Sequence, residues 1–352
     1  MGPVDLLDLE RRAAERLPAH VYDYFRATAG GPEVLAEQVA AWAALRHRPR
    51  VLRDTSVVDT ATTVLGARVS TPVLVAPMAQ QVAAHPRGEQ ETAAATAAAG
   101  SILGVSTNTG VRFADIAATG APWWFQLYVL RDRAATEALL DRAVEAGASA
   151  LILTVDITGL VHPRPTAGYS VEPVEWPASP AAERHINFTP AERERVRGEG
   201  GLIARDLGFD AIDYLRDRTG LPVIVKGVLR GDDARRAVDA GAAAVVVSTH
   251  GGRGLASALP TARALSEVVE AVRGSAEVYV DSGIRSGRHV ASALALGARA
   301  VFVGRPAMWG LAVGGAEGVR NVLDGLTAEL AATMNLLGAP TLADVTDDLV
   351  ER

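Results

Sequence analysis

The chain contains no cysteine. That excludes disulfides, thiolate metal sites and a cysteine nucleophile. Aromatic residues are scarce, at 5%. Neither sign of charge dominates. With 35 Lys+Arg against 41 Asp+Glu the net charge is −6, which lacks the basic excess of a general nucleic-acid binder. No apolar run reaches the roughly 18 residues of a membrane span. The first 16 residues mix acids with apolar side chains and do not read as a signal peptide. The expectation is a cytoplasmic protein with no membrane or nucleic-acid partner. Lysine is almost missing: Lys226 is the single lysine among the 35 basic residues. A bias toward arginine explains the absent lysines but not the one that remains. Lysine offers a compact, tunable ammonium that arginine cannot imitate.

What is present is a long chain, 352 residues with 49% hydrophobic and 22% charged, able to bury a sizeable core. Eight short, nearly all-apolar runs recur, at 73–77, 102–106, 124–128, 151–156, 223–227, 244–250, 278–281 and 300–304. Each reads as a strand buried on both faces. Ala-rich, helix-favouring segments lie between them, at 89–99, 112–118, 133–146, 211–219, 232–240, 261–272 and 288–296. Several stop at a glycine, a standard helix terminator. Eight strand–helix alternations predict one α/β domain, a (β/α)8 TIM barrel. A doubly wound open sheet is the alternative, but it does not need eight repeats. Residues 1–65 hold helices at 6–17 and 32–44 and a connector, expected as an N-terminal helical cap. Residues 157–205, rich in Pro, Gly and charge, follow the fourth strand and are expected as a lid-like loop. Residues 315–337 read as the closing helix.

Barrel chemistry sits at the carboxyl ends of the strands. Here those ends carry Ser106, Gln126 with Tyr128, Thr154 with Asp156, Lys226, Ser248 with His250, Asp281 and Arg305. Asp281-Ser-Gly-Ile-Arg285 follows strand seven and Gly304-Arg305-Pro follows strand eight. Glycine lets backbone N–H groups approach a phosphate and arginine adds bidentate contacts, so Asp281, Gly283, Arg285, Gly304 and Arg305 are phosphate candidates. His250 opens His-Gly-Gly-Arg253. Histidine takes a proton near neutral pH, Arg253 suits a carboxylate, and Asp156 is placed to orient the imidazole. A plain loop cap is the alternative for Asp156. His20, His47, His85 and His289 read as structural, and His162 and His185 fall in the long loop. Nothing suggests a metal.

From about residue 17 to 337, the sequence resembles the FMN-dependent 2-hydroxy acid oxidase/dehydrogenase family, which includes glycolate oxidase, lactate oxidase and mandelate dehydrogenase. The resemblance rests on the order and spacing of several motifs. They are Pro18-Ala-His-Val-Tyr-Asp-Tyr24, Ala76-Pro-Met-Ala79, His85-Pro, Gln126-Leu-Tyr128, Leu153-Thr-Val-Asp156, Leu221-Pro-Val-Ile-Val-Lys226-Gly, Val247-Ser-Thr-His250-Gly-Gly-Arg253, Asp281-Ser-Gly-Ile-Arg285 and Gly304-Arg305-Pro. It implies FMN over the barrel mouth, contacted by Pro77, Met78 and Ala79. Ser106, Gln126 and Thr154 would bond the ring. Lys226 would balance the charge of the reduced flavin, with Ser248 nearby. The ribityl phosphate would fall to Asp281, Gly283, Arg285, Gly304 and Arg305. His250 would be the base, Asp156 its partner, Tyr128 the residue facing the substrate hydroxyl, and Arg253 with Tyr24 the carboxylate grip. The product would be a 2-oxo acid, and the assembly a homotetramer.

The sequence departs from the family pattern around the substrate. Thr249 stands where asparagine is usual, and Gly254-Leu-Ala256 where Gln-Leu-Asp is usual. The second carboxylate arginine is expected at Pro163, with Arg164 one residue later. Asn108 stands where relatives often carry an aromatic facing the substrate. The expected reaction is oxidation of an (S)-2-hydroxy acid, with an aryl acid such as mandelate among the candidates. A larger aryl, carrier- or peptide-linked intermediate is the alternative. A Lys226 Schiff-base lyase and a catalytically silent scaffold are further readings.

Overall fold

The structure is a computed structural model. It describes residues 4–157, 186–196 and 203–351. Eight parallel strands close into a barrel. They are β1 (Val73–Val75), β2 (Leu103–Val105), β3 (Trp123–Leu127), β4 (Leu151–Thr154), β5 (Val223–Val228), β6 (Ala244–Val247), β7 (Glu277–Val280) and β8 (Ala300–Val303). Each pairs in parallel with the next, and β8 closes on β1 through Val301 opposite Val73. The expected closed barrel is therefore present, and an open sheet is excluded.

Strand periodicity sorts the side chains. Leu74, Ile102, Trp124, Ile152, Ile224, Val246, Tyr279 and Phe302 belong to one buried cluster, the barrel interior. Their neighbours along each strand, such as Val75, Leu103, Phe125, Leu153, Val225 and Val245, belong to the second cluster, which packs on the helices. Three aromatics fill the interior. Trp124, Tyr279 and Phe302 have ring centroids 5.6 to 6.1 Å apart.

Three helices precede the barrel: α1 (Leu6–Arg16), α2 (Ala19–Arg26) and α3 (Pro32–Ala44). Asp5 caps α1 by accepting from the N–H groups of Leu7 and Asp8. The second was not read from the sequence. It follows Pro18 with no side-chain cap and buries only Val21 and Phe25. From α3, Trp42 reaches the end of β7, donating from Nε1 to Ser282 O at 2.9 Å. These helices cover part of the barrel mouth, but the connector does not stay there. A hairpin, Thr62–Val64 with Ala67–Val69, sends Val64 and Val69 into the interior cluster. It plugs the amino-terminal end of the barrel.

Helices α4 (Gly88–Ala98), α5 (Phe113–Ala117), α6 (Arg133–Glu145), α7 (Pro190–Val196), α8 (Asp210–Thr219), α9 (Gly231–Asp239), α10 (Thr261–Val272) and α11 (Gly287–Ala295) surround the strands. Most of the expected 157–205 loop lies outside the described residues. Its described part holds α7, tied down by Arg142 Nη2 donating to Glu192 at 2.8 Å. The closing helix starts earlier than expected. Helix α12 (Arg305–Leu337) begins directly after β8 and breaks at Gly314 and Gly315, the latter at φ 57°. The sequence reading saw only the part beyond the break. Among the described residues, no helix is long and apolar enough to cross a membrane.

Candidate active site

The interior rows change character toward the carboxyl ends. Two residues beyond Trp124, Ile152, Ile224, Val246 and Tyr279 stand Gln126, Thr154, Lys226, Ser248 and Asp281. One parity therefore builds an apolar barrel and a polar mouth. Lys226 Nζ donates to Ser248 Oγ at 2.9 Å and lies 3.2 Å from Asp281 Oδ2. Burial pulls the ammonium's pKa down, but the carboxylates of Asp281 and Asp156 outweigh it, and the value stands above the ordinary lysine value. An ion-paired ammonium is a poor nucleophile, so the Schiff-base reading loses its basis.

On the other side of the mouth, Gln126 Oε1 accepts from Ser106 Oγ at 3.3 Å and from Thr107 N–H at 3.2 Å. Its Nε2 is buried and has no partner among the described residues, and the same holds for Thr154 Oγ1. Buried polar atoms are rarely left unpaired in a native site. Two of them on neighbouring strands mark where a polar ligand belongs.

His250 stands between two partners. Its Nδ1 lies 2.9 Å from Asp156 Oδ1, and its Nε2 lies 3.3 Å from the Tyr128 hydroxyl. Burial works against the charge of Asp156, but His250 and Lys226 outweigh it and hold the carboxyl below the usual carboxylate range. Asp156 thus meets the imidazole, as the first of its two sequence readings expects, rather than serving as a plain cap. The strand does not run to His250 as expected. It ends at Val247, and the chain turns left-handed at His250, with φ 55°.

Asp156 has room because position 227 is glycine. A Cβ on Gly227 would stand 2.5 Å from Asp156 Cβ, and its φ of +112° suits no other residue. In the sequence, Gly227 is one letter after the lysine; only the fold reveals what it admits.

The strand-seven and strand-eight ends form a cationic corner. Burial pulls the Arg285 guanidinium down to about 10. Burial, followed by repulsion from Arg253 and Arg285, pulls Arg305 down to about 9. The one hydrogen bond of the Arg285 guanidinium among the described residues goes to Ile284 O, at 2.8 Å. Arg305 is differently committed. It donates from Nε to Phe25 O at 3.0 Å, from Nη1 to Gly251 O at 2.9 Å, and from Nη2 to Ala27 O at 2.8 Å and Arg26 O at 3.3 Å. It caps the carboxyl end of α2, where cations are favoured. What Arg305 presents to the mouth is the backbone at the start of α12, with Gly304 as its cap. A Cβ on Gly304 would stand 2.9 Å from the sulfur of Met78, so the 77–79 turn packs closely here. Gly283 is pressed against α3, where a Cβ would stand 2.6 Å from Gln38 O.

Arg253 and Tyr24 are brought together. The Arg253 guanidinium carbon sits 5.1 Å from the Tyr24 ring centre, and Nη1 donates to Tyr24 O at 2.8 Å and to Ala27 O at 3.1 Å. Asn108 is half-buried, its N–H donating to Ser106 Oγ at 3.1 Å and its carbonyl accepting from Gln80. Arg164, Pro163, His162 and His185 lie outside the described residues. His289 is buried in α11, where its Nδ1 accepts from Arg285 N–H. A buried acid beneath the mouth lies outside the sequence expectations. Glu89 Oε1 accepts from the N–H groups of Gln81 and Gly110, joining the β1 and β2 loops. Burial pushes its pKa up to about 7. Nothing in the sequence distinguishes it from a solvated helix glutamate.

Comparison with known proteins agrees with this geometry. The FMN-dependent dehydrogenase family matches residues 13–352. An L-lactate oxidase of Nostoc sp. is 40% identical over 98% of this chain and 97% of its own length. A 4-hydroxymandelate oxidase of Amycolatopsis orientalis is 40% identical over 97% of this chain and 96% of its own. A solved mandelate oxidase with (S)-2-phenylpropionate superposes with TM-score 0.84 at 38% identity, covering 98% of this chain and 97% of the other. A mandelate oxidase variant with the monooxide FMN adduct gives TM-score 0.81 at 37% identity over 98% of both chains. The chain belongs to the FMN-dependent dehydrogenase family, among the 2-hydroxy acid oxidases that act on a CH–OH group with FMN as cofactor.

Proposed function

We propose that this protein oxidises an (S)-2-hydroxy acid bearing an aryl group, such as a mandelate, to the 2-oxo acid, with His250 as the base. The carrying observation is the Asp156–His250–Tyr128 line, at 2.9 and 3.3 Å, beside the Arg253–Tyr24 pair. FMN suits the mouth because the unpartnered Gln126 Nε2 and Thr154 Oγ1 call for polar partners there, and the buried Arg285 guanidinium, with one carbonyl partner among the described residues, favours an anion. Ser106, Gln126 and Thr154 would bond its ring, with Pro77, Met78 and Ala79 against it. Lys226 and Ser248 would serve its polar edge and Asp281 the ribityl chain. Gly283, Arg285, Gly304 and Arg305 would hold the phosphate, Arg285 through its guanidinium and Arg305 through its backbone N–H.

Bound FMN supplies a two-electron acceptor. Arg253 and Tyr24 hold the substrate carboxylate, Arg253 through paired hydrogen bonds. Arg164 is the candidate for the second arginine of this grip. Tyr128 orients the substrate hydroxyl. His250 Nε2 accepts the proton, and the Asp156 carboxylate stabilises the imidazolium that forms. The aryl preference draws on the likeness to mandelate oxidase structures and on Asn108, a smaller side chain than the aromatic residue often found there. Asn108 also favours a second reading, a larger aryl, carrier- or peptide-linked substrate. A cytoplasmic homotetramer completes the proposal; light scattering tests the assembly.

The test is anaerobic titration of the yellow protein with (S)-mandelate, lactate and glycolate. Bleaching by mandelate ahead of the aliphatic acids is the expected result. A yellow protein that no small acid bleaches transfers the proposal to larger substrates. A colourless protein that FMN cannot reconstitute overturns both.

A further inference from the structure

The turn that carries His250 is held in an unusual way. His250, Gly251 and Gly252 all take left-handed backbone, at φ 55°, 65° and 77°. The glycines do so freely, whereas a histidine stays there only where its surroundings over-determine it. Three successive amides supply that constraint. The N–H groups of Thr249 and Gly251 donate to Ser282 Oγ at 3.3 and 3.0 Å, and the N–H of His250 donates to Ser248 Oγ at 3.0 Å.

Both hydroxyls are anchored to one charge pair. Ser282 Oγ donates to Asp281 Oδ1 at 2.6 Å, Asp281 Oδ2 lies 3.2 Å from Lys226 Nζ, and Lys226 Nζ donates to Ser248 Oγ at 2.9 Å. The contacts close a ring through the histidine turn. Ser282 cannot shift easily, because its carbonyl accepts from Trp42 Nε1 at 2.9 Å and from Thr261 Oγ1 at 3.1 Å. It is itself left-handed, at φ 67°. A glycine would adopt that backbone without strain. The backbone therefore does not account for a serine at this position, and the hydroxyl does.

We propose that Ser282 is a positioning residue for the base: its hydroxyl fixes the 249–251 turn that aims the His250 imidazole between Asp156 and Tyr128. This rests on His250 acting as the base. Without the hydroxyl, two amides flanking the histidine lose their acceptor, and the turn relaxes toward ordinary backbone. The ring then leaves the geometry its two partners define.

The pair S282G and S282A separates hydroxyl from backbone. Both lack the hydroxyl, but only S282G relieves the left-handed strain. In FMN-loaded enzyme, both variants are expected to slow anaerobic flavin reduction by about ten- to hundred-fold, the scale of a small misplacement of a reacting group. Substrate and FMN affinity are expected to stay within about threefold, as for an interaction that serves only the chemical step. A second readout needs no turnover. The imidazole ¹⁵N resonances of His250, assigned against H250N, are expected to move in both variants as the Asp156 contact loosens. The proposal is overturned if S282G reduces at the wild-type rate per bound flavin with unmoved His250 resonances. It is also overturned if the loss merely follows FMN content. Should wild-type flavin resist every small hydroxy acid, the substrate reading moves to larger compounds, and the resonances still report whether Ser282 sets the ring.

Discussion

Replacing Asp156 by asparagine isolates the charge behind His250 while preserving shape. The amide fits the space over Gly227 and still presents an oxygen to Nδ1, now 2.9 Å from a carboxylate oxygen. What is lost is the attraction between a carboxylate and the imidazolium formed as the proton is taken. At an effective dielectric near 20, unit charges about 4 Å apart attract by about 4 kcal/mol. The His250 side chain is 21% exposed, so water screens part of this. About 3 kcal/mol then bears on the chemical step, and at about 1.4 kcal/mol per decade flavin reduction slows by about 10²-fold. Substrate affinity should change little, because the proposed carboxylate grip lies at Arg253 and Tyr24. Anaerobic stopped-flow over a range of (S)-mandelate concentrations separates the two quantities. A reduction rate within about threefold of wild type would refute the reasoning, as would a loss confined to binding. Stability gives an independent check of sign. The folded carboxyl titrates below its ordinary value, so its charge stabilises the fold at neutral pH and that contribution disappears as pH falls. Melting of D156N should depend less on pH in the acid range than melting of wild type.

Four further variants probe neighbouring geometry. G227A places a Cβ 2.5 Å from that of Asp156 on backbone at φ +112°, so reduction should slow like D156N and the melting free energy should fall by about 1–3 kcal/mol; wild-type kinetics would show that Asp156 does not need the space. R285M should weaken FMN by about tenfold or more, through loss of a charge-assisted contact. R305M should instead raise the substrate Kd, since Arg305 ties Phe25, Ala27 and Gly251 together; fluorescence titration with FMN and a substrate analogue reads the order, and the reverse order refutes it. Glu89 has a folded pKa raised to about 7 from 4.5, so the folded state binds the extra proton and loses stability as pH rises through that window. The shift is worth about 3 kcal/mol, and E89Q, which keeps an oxygen for Gln81 and Gly110, should flatten this dependence and melt higher at pH 8. An unchanged pH dependence of melting would refute the buried-acid reading.

The barrel was legible because its strands obey a strict rule. A strand buried on both faces is a short apolar run, and its carboxyl end becomes polar where the interior row meets solvent. Gln126, Thr154, Lys226, Ser248 and Asp281 were therefore visible as strand ends before any fold was known. The misses have a common cause. Helix α2 is short and uncapped, and the hairpin that plugs the barrel has three residues per strand, too few for a period to register. The first part of α12 hides behind the Gly304-Arg305-Pro306 turn, because a proline there reads equally as a loop and as a helix start. Arg305 shows the harder limit. Its type and place suggest a phosphate ligand, while its guanidinium is spent on carbonyls of a helix more than 270 residues earlier in the chain. Sequence identifies a cation at the mouth; only packing decides what that cation faces.

Those commitments also explain why the mouth needs so rigid a frame. His250 and Ser282 hold left-handed backbone, Lys226 and Asp281 are buried together, and Arg253, Arg285 and Arg305 crowd one corner. Each is a cost to the folded chain. Each is tolerable because the interior beneath it is mostly apolar: Trp124, Tyr279 and Phe302 fill the barrel, and the Tyr279 hydroxyl is met by Glu277 at 2.5 Å. A single parity along the strands thus divides the labour. The rows supply apolar burial at one end and preorganised charge at the other, two residues apart. An apolar replacement of Gln126 or Thr154 in the upper row, whose buried polar atoms have no partner among the described residues, should stabilise the fold while weakening FMN or slowing reduction. An apolar-to-polar change in the lower row should do the reverse of the first and gain nothing in activity.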